Sequence, residues 1–210
     1  MGFQIIRKSE QLQTSWAGGT TVQLAIHPQD ASLAARNFYW RLSSATVNQG
    51  GAFSEFRGYS RWLGLRQGAG MVLNVDNQQM QLKSAQQMLC FSGDAKTSAE
   101  LIAGTVVDIN LILAAGWQGG LQTFTLQPQQ LLRPVVPTVA QEFLIYVDAG
   151  QLAFELADQE IMLTAGDLIR YQRDSGNTAM QIVEGLAGES AIFTAIEAAT
   201  TAVLAWVAPL

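Results

Sequence analysis

The residues of this sequence best suited to chemistry are an arginine and two short polar side chains set inside apolar strands. In FYWRLS, residues 38–43, Phe38, Trp40 and Leu42 share one face of an extended chain, while Tyr39, Arg41 and Ser43 share the other. In TVVDINLIL, residues 105–113, Val107, Ile109, Leu111 and Leu113 stand opposite Val106, Asp108, Asn110 and Ile112. If Trp40 and Leu42 enter an apolar layer, Arg41, Asp108 and Asn110 point the other way. A guanidinium so placed can meet a carboxylate with two parallel hydrogen bonds. Three arrangements fit this spacing. The polar face is wet, as is normal for an antiparallel sheet; or it lines a cavity that takes an anion; or Arg41 and Asp108 pair with each other and hold no ligand.

A second stretch raises a related question. GGAFSEFRGYSR, residues 50–61, sets aromatics, a serine, a glutamate and two arginines among glycines. Gly50, Gly51 and Gly58 permit backbone angles that other residues avoid, so the segment is either a surface loop or the wall of a pocket. Phe53 and Phe56 read as core anchors, Arg57 as solvated, and Glu55 as a charge of unassigned direction.

The remaining inventory excludes much. The chain has one histidine and one cysteine, whereas a transition metal needs several converging imidazole, thiolate or carboxylate ligands. No metal and no cofactor are expected. A serine triad would have to use His27, which precedes Pro28 and reads as a strand-end residue, and no Gly-x-Ser-x-Gly elbow occurs. Cys90, between Leu89 and Phe91, reads as buried and inert. No glycine-rich phosphate loop precedes a helix. The formal net charge is −5 with no basic cluster, which argues against a nucleic-acid partner. A single cysteine forbids an intrachain disulfide and suits a reducing compartment. MGFQIIRKSEQLQ lacks the apolar core of a signal peptide, and the apolar run TAVLAWVAPL is about half a membrane span. A cytoplasmic protein with no membrane partner is expected.

Period-two patterns must position these groups. At 210 residues, 49% hydrophobic and 14% charged, the chain can build a large core. TVQLAI (21–26) alternates, MVLNV (71–75) and QMQLK (79–83) form a hairpin about Asp76-Asn77, and DASLAARN (30–37) supplies a turn or two. Residues 116–140, rich in proline, glycine and glutamine, mark a crossing between halves. Beyond it FLIYV (143–147), QLAFEL (151–156), a turn at Ala157-Asp158, EIML (160–163), LIRY (168–171), SAIFTAIE (190–197) and TAVLAWVA (201–208) continue the strand rhythm. Many short strands favour a sandwich or barrel. GQLAFELADQEIMLTAGDLIRY resembles the hairpin and Gly-Asp turn of a cupin barrel, and QLKSAQQMLCFSGD (81–94) repeats the rhythm faintly. The expected architecture is an all-β bicupin: a first cupin-like half over 1–115 carrying the pocket, and a linker with the second half over 116–210.

WAGGTT (16–21), FYWRLSSATV (38–47), GGAFSEFRGYSRWLGLRQGAGMVL (50–73), FSGD (91–94) and LIAGTVVDINLIL (101–113) together resemble the HutD/Ves family. That pattern runs Trp-x-Gly-Gly-x-Thr, Arg-x-Ser-x-Ala, a Gly-Pro-Phe-Ser-x-Phe-Pro-Gly-x-x-Arg block, Phe-x-Gly and Asp-x-Asn. The resemblance implies a metal-free bicupin linked to histidine utilisation or stress responses. It also implies a binding or regulatory role towards a small acid such as an N-formyl amino acid from histidine degradation. Carried over, it points to Trp16, Gly19, Thr20, Arg41, Ser43, Phe53, Ser54, Arg61, Asp108 and Asn110. Ala52 and Arg57 replace the two prolines of the block, Ser60 stands where aspartate is usual, and LILAAG follows Asn110 without the family's arginines. These departures bear on ligand identity more than on membership.

Three functions fit these residues. The first is a non-catalytic binder in which Arg41, with Arg61, holds a carboxylate. Ser54, Thr20 and Asn110 would hydrogen-bond its polar atoms, and Trp16 would exclude water. The second is a metal-free isomerase or lyase with Asp108 or Glu55 as base and Arg41 as anion clamp. The third is a homodimeric interaction module using the apolar C-terminal strands and exposed tryptophans.

Overall fold

The alternating segments fold into short antiparallel strands. In the computed structural model, which describes residues 2–132, 136–156, 159–173, 192–196 and 198–210, the chain begins with β1 (Gly2–Ile6) and a 3-10 turn. It continues through β2 (Leu12–Trp16), β3 (Gly19–His27), β4 (Trp40–Val47), β5 (Gly51–Ala52), β6 (Tyr59–Gln67) and β7 (Met71–Val75). Next come β8 (Gln78–Leu82), β9 (Met88–Ser92), β10 (Thr97–Leu101), β11 (Val106–Ala114), β12 (Trp117–Leu126) and β13 (Leu131–Leu132). The last are β14 (Glu142–Ala149), β15 (Gln151–Leu156), β16 (Gln159–Thr164), β17 (Leu168–Gln172), β18 (Ile192–Ala195) and β19 (Thr200–Pro209). Asp76 and Asn77 turn β7 into β8 with φ of 47° and 67°, a conformation that Asn and Asp tolerate. DASLAARN is a turn, closed by the Arg36 amide donating to the Ser32 carbonyl at 3.1 Å. The expected turn at Ala157-Asp158 lies outside the described residues, as do Ser190, Ala191 and Glu197 of SAIFTAIE.

Two compact units result. One comprises Gln11–Leu121 with Pro209–Leu210, the other Met1–Glu10 with Gln122–Ala208. The first ten residues belong with the second half because β1 pairs along all of β17, from Gly2 opposite Gln172 to Ile6 opposite Leu168. Each unit is a pair of sheets rather than a closed ring of strands. The Gln11–Leu121 unit has a six-stranded sheet ordered β2-β3-β4-β11-β6-β9 and a four-stranded sheet ordered β5-β10-β7-β8. Its interior holds Leu63, Leu65, Met71, Leu73, Leu82 and Val106, with a second cluster of Ile26, Phe38, Phe56 and Ile112. The other unit is filled by Phe143, Phe154, Tyr171, Phe193 and Leu204. Phe143 stacks on Tyr171, and Phe154 on Phe193, each pair at 4.9 Å between ring centroids.

Two expectations are corrected by position in the sheets. Cys90 is exposed: Leu89 and Phe91 take the buried positions of β9, and period two turns the residue between them outward. The C-terminal strand offered as a dimer face is interior, between β14 and β12, and is buried along most of its length. Among the described residues no helix is long and apolar enough to cross a membrane.

Bulges reset the faces of the six-stranded sheet. The β3–β4 register shifts between Gln23 and Ala25, so Gln23 stands opposite Ser43 while Ile26 stands opposite Arg41. The alternation expected for TVQLAI therefore breaks, and Gln23 and Ile26 share a face. Beside it Gly19 lies opposite Val47, where a Cβ would fall 1.9 Å from the Thr46 carbonyl oxygen. Gly19→Ala must push β3 from β4, and its urea midpoint is expected to fall by the equivalent of about 2–3 kcal/mol.

Candidate functional site

Arg41 and Arg61 are brought together by register. Both stand opposite Ile112, on the strands that flank β11, so their Cα atoms are about 10 Å apart across two strand spacings and their side chains share one face. The next rung on this face is Gln23, Ser43, Asn110 and Leu63, and the one beyond is Thr21, Ala45, Asp108 and Leu65. The rungs thus run from cations through neutral polar groups to an acid. They floor a cavity of about 280 Å³ whose mouth is ringed by Thr14, Ser15, Trp16 and Leu33. In liquid volume that is about nine waters.

The wet-face arrangement does not hold. Arg41, Arg61 and Asp108 are 5%, 5% and 3% exposed. The Arg41–Asp108 ion pair does not form either. Arg41 donates from Nε to Gln23 Oε1 and from Nη1 to Ser43 Oγ, both at 2.9 Å, and its second terminal nitrogen has no acceptor among the described residues. Arg61 donates from Nη1 to the Ser54 carbonyl at 3.3 Å, and its buried Nε has no partner. Its guanidinium lies 5.0 Å from the Phe53 ring centroid and 5.4 Å from those of Phe56 and Phe91. Burial lowers both guanidiniums to about 10, so both are cations at neutral pH.

The glycine-rich segment is the wall of this cavity. Phe53 donates its amide to the Thr97 carbonyl and Phe56 its amide to the Gly93 carbonyl, each at 2.8 Å. Gly93 returns an amide bond to the Tyr59 carbonyl at 2.7 Å, and Asp94 Oδ1 accepts from the Gly58 amide at 3.2 Å. A Cβ on Gly93 would meet the Phe56 carbonyl oxygen at 2.3 Å, which is why the FSGD stretch can hold this wall. Gly58 turns the chain with φ of 76°.

Asp108 is the one acid in the lining. Its Oδ1 accepts from the Ala45 amide at 3.1 Å, and the other oxygen has no donor among the described residues. Burial raises its pKa to about 6 against the Ala45 hydrogen bond and the fields of Arg61 and Arg66. Asn110 Oδ1 is buried without a partner. Two buried cations, hydrogen-bonding groups and one carboxyl thus meet in a small space, an arrangement chemically suited to hold an anion.

Most residues indicated by the sequence converge here: Trp16, Arg41, Ser43, Phe53, Ser54, Arg61, Asp108 and Asn110 all line the cavity. Thr20 does not. It stands opposite Thr46 on the other face, and the hydroxyl in the cavity is that of Thr21, which occupies the last position of Trp-x-Gly-Gly-x-Thr. Thr21 Oγ accepts from the Trp16 indole at 3.2 Å. Gly19 is a packing position. Glu55 lies outside the lining and pairs with solvated Arg57 at 3.3 Å, which removes it as a base. Gln23, Leu33 and Phe91 were missed. Only the bulge brings Gln23 to Arg41, and nothing in a single sequence marks it. His27 lies outside the lining, its ring stacked on Trp40 at 5.8 Å. Among the described residues no three His, Cys, Asp or Glu side chains converge as metal ligands.

Fold and site together define a cupin-type protein with a buried guanidinium cavity. A cupin barrel protein from Leptotrichia buccalis, 10% identical, shares the fold at a TM-score of 0.54 over 97% of this chain and 96% of its own. The chain belongs to the HutD family, whose profile matches residues 8–187; the family is linked to the histidine-utilisation locus. A conserved protein of unknown function from Pseudomonas aeruginosa PAO1 is 27% identical, with a TM-score of 0.78 over 99% of this chain and all of its own. HutD from Pseudomonas fluorescens SBW25, solved in a formate condition, is 26% identical with a TM-score of 0.68 over the full length of both. The "uncharacterized 21.2 kDa protein in hutC 3′ region" of Pseudomonas putida is 34% identical over 114 residues, 53% of this chain and 58% of that protein.

The raised Asp108 value has a sign in stability. A carboxyl whose folded pKa exceeds its unfolded one stabilises fully below the unfolded value and loses that stability as pH rises through the folded one. Between pH 4 and 6 the wild type should therefore lose about 2 kcal/mol relative to Asp108→Asn, read from urea unfolding of both proteins across that range.

Proposed function

We propose that this protein is a non-catalytic binder, with a regulatory role, for a small carboxylate-bearing metabolite. The observation that carries the proposal is the pair of buried guanidiniums without an acid partner. Elsewhere the same chain pairs a buried arginine: Arg170 Nε donates to Glu142 Oε2 at 2.6 Å, and both side chains are at most 9% exposed. A buried charge left unpaired is costly, and at Arg41 and Arg61 a bound carboxylate would offset that cost. The free nitrogen of Arg41 and the hydroxyls of Ser43, Ser54 and Thr21 offer it hydrogen bonds, while Trp16 and Leu33 screen the mouth. The formate condition of the Pseudomonas fluorescens relative and the hutC neighbourhood of the Pseudomonas putida relative suit a small acid from histidine degradation, such as an N-formyl amino acid.

The isomerase or lyase alternative retains one favourable feature, the Asp108 oxygen that has no donor among the described residues. Its other oxygen is fixed by a backbone amide, and no second acid-base group lines the cavity.

Thermal-shift titration with formate, acetate, N-formyl amino acids and imidazole acids tests the proposal. A true ligand at about a hundred times its Kd should add roughly 2.7 kcal/mol, and Arg41→Met and Arg61→Met should abolish that gain while folding normally. Flat curves across the panel contradict binding. Incorporation of deuterium from D₂O into a bound acid, lost in Asp108→Asn, would favour the enzyme instead.

A further inference from the structure

Asp108 restricts which acids this cavity can admit. It lies four residues along β11 from Ile112, the residue between Arg41 and Arg61, so its Cα is ~13 Å along the strand from the cationic rung. One carboxyl oxygen is held by the Ala45 amide, and no arginine forms an ion pair with it among the described residues. The arginines whose fields reach it are Arg61 and Arg66 from β6; Arg41 from β4 shares the lining with it, whereas Arg66 lies outside the lining, its Nη1 donating to Ser44 Oγ at 2.6 Å. From β2, β3 and the wall segment come Thr14, Ser15, Trp16, Thr21, Phe53 and Ser54, none of which ionises near neutrality. The lining therefore carries two positive charges and one negative. A monoanion brings the cavity to neutrality. A dianion leaves it with excess negative charge beside a buried carboxylate, and like charges in a low-dielectric space force a proton onto one of them.

We infer that Asp108 sets the charge limit of the site: a monoanionic acid binds without proton exchange, and a dianionic acid binds only with a proton taken up by the Asp108 carboxyl. The proton comes from solvent and goes to the oxygen that Ala45 does not hold, turning that oxygen from an acceptor into a donor towards the ligand. This inference rests on the carboxylate reading and deepens it. Because burial moves Asp108 to about 6, the free carboxyl is about nine-tenths ionised at pH 7. Affinity for a dianion should then fall roughly tenfold per pH unit above that point.

Succinate and its monoamide, succinamate, share a carbon chain and differ by one charge. Isothermal titration calorimetry of the full chain at pH 6.5, 7.25 and 8, in buffers of different ionisation heat, separates the cases. For succinate, Kd is expected to rise about tenfold per pH unit with about one proton taken up at pH 8. For succinamate, Kd should change less than about twofold with no proton exchange. Asp108→Asn, which keeps an acceptor for the Ala45 amide, should flatten the succinate profile and tighten its binding at pH 8 by about tenfold or more. If that variant does not fold, ethane-1,2-disulfonate, a dianion that itself takes up no proton near neutrality, replaces succinate with the wild type: about one proton taken up on binding supports the inference, and none overturns it. Succinate binding that is independent of pH and releases no buffer heat overturns the inference and leaves the carboxylate reading standing. Failure of both acids to bind at pH 6.5 overturns that reading, and the inference with it.

Discussion

Two guanidiniums buried on one rung of a sheet, without a carboxylate to pair with, constrain everything else about this protein. Taking such a group out of water costs several kcal/mol even after relaxation, and the fold meets that cost only in part. Gln23 and Ser43 orient Arg41. Three phenylalanine rings and one carbonyl surround Arg61. Neither arrangement supplies a negative charge. The second unit shows the alternative solution, since Arg170 is paired with Glu142 at 2.6 Å and its interior is filled with stacked aromatic rings. One unit thus keeps two buried guanidiniums without an ion-pair partner among the described residues, and the other pairs its buried arginine with a carboxylate.

The scaffold around the arginines explains the odd composition of the 50–61 stretch. Aromatic side chains must reach a guanidinium from a segment that folds back on itself, so glycine supplies the turn at Gly58 and the close approach at Gly93. The FSGD motif serves that segment through backbone hydrogen bonds and the Asp94 carboxylate. Gly19 serves packing in the same way, by letting β3 lie against the Thr46 carbonyl. The glycines of the family pattern thus hold the walls, while the arginines, Ser43 and the Asp-x-Asn pair line the cavity.

Much of this was legible in the sequence because period two is a strict rule. The faces of FYWRLS and TVVDINLIL, the Asp76-Asn77 hairpin and the strands of the second half all follow from alternation. What alternation cannot give is register. It placed Arg41, Asp108 and Asn110 on one face of their strands but could not tell water from a cavity, because that depends on the facing sheet. It missed Gln23, because a bulge moves Ile26 onto the face of Gln23. The apolar neighbours of Cys90 suggest burial, whereas period two turns the residue between Leu89 and Phe91 outward, where the structure has it. Thr20 and Thr21 stand side by side in WAGGTT, but the motif's spacing ends on Thr21 and their hydroxyls lie on opposite faces.

The most direct measurement is a crystal structure of the chain soaked with bromoacetate, read from the anomalous signal of bromine. A bromine peak is expected inside the cavity, with the attached carboxylate accepting hydrogen bonds from Arg41 and Arg61 and Asp108 forming no ion pair with either arginine. Guanidiniums turned out to bulk solvent, or Arg41 locked onto Asp108 with no bromine between the sheets, would contradict it.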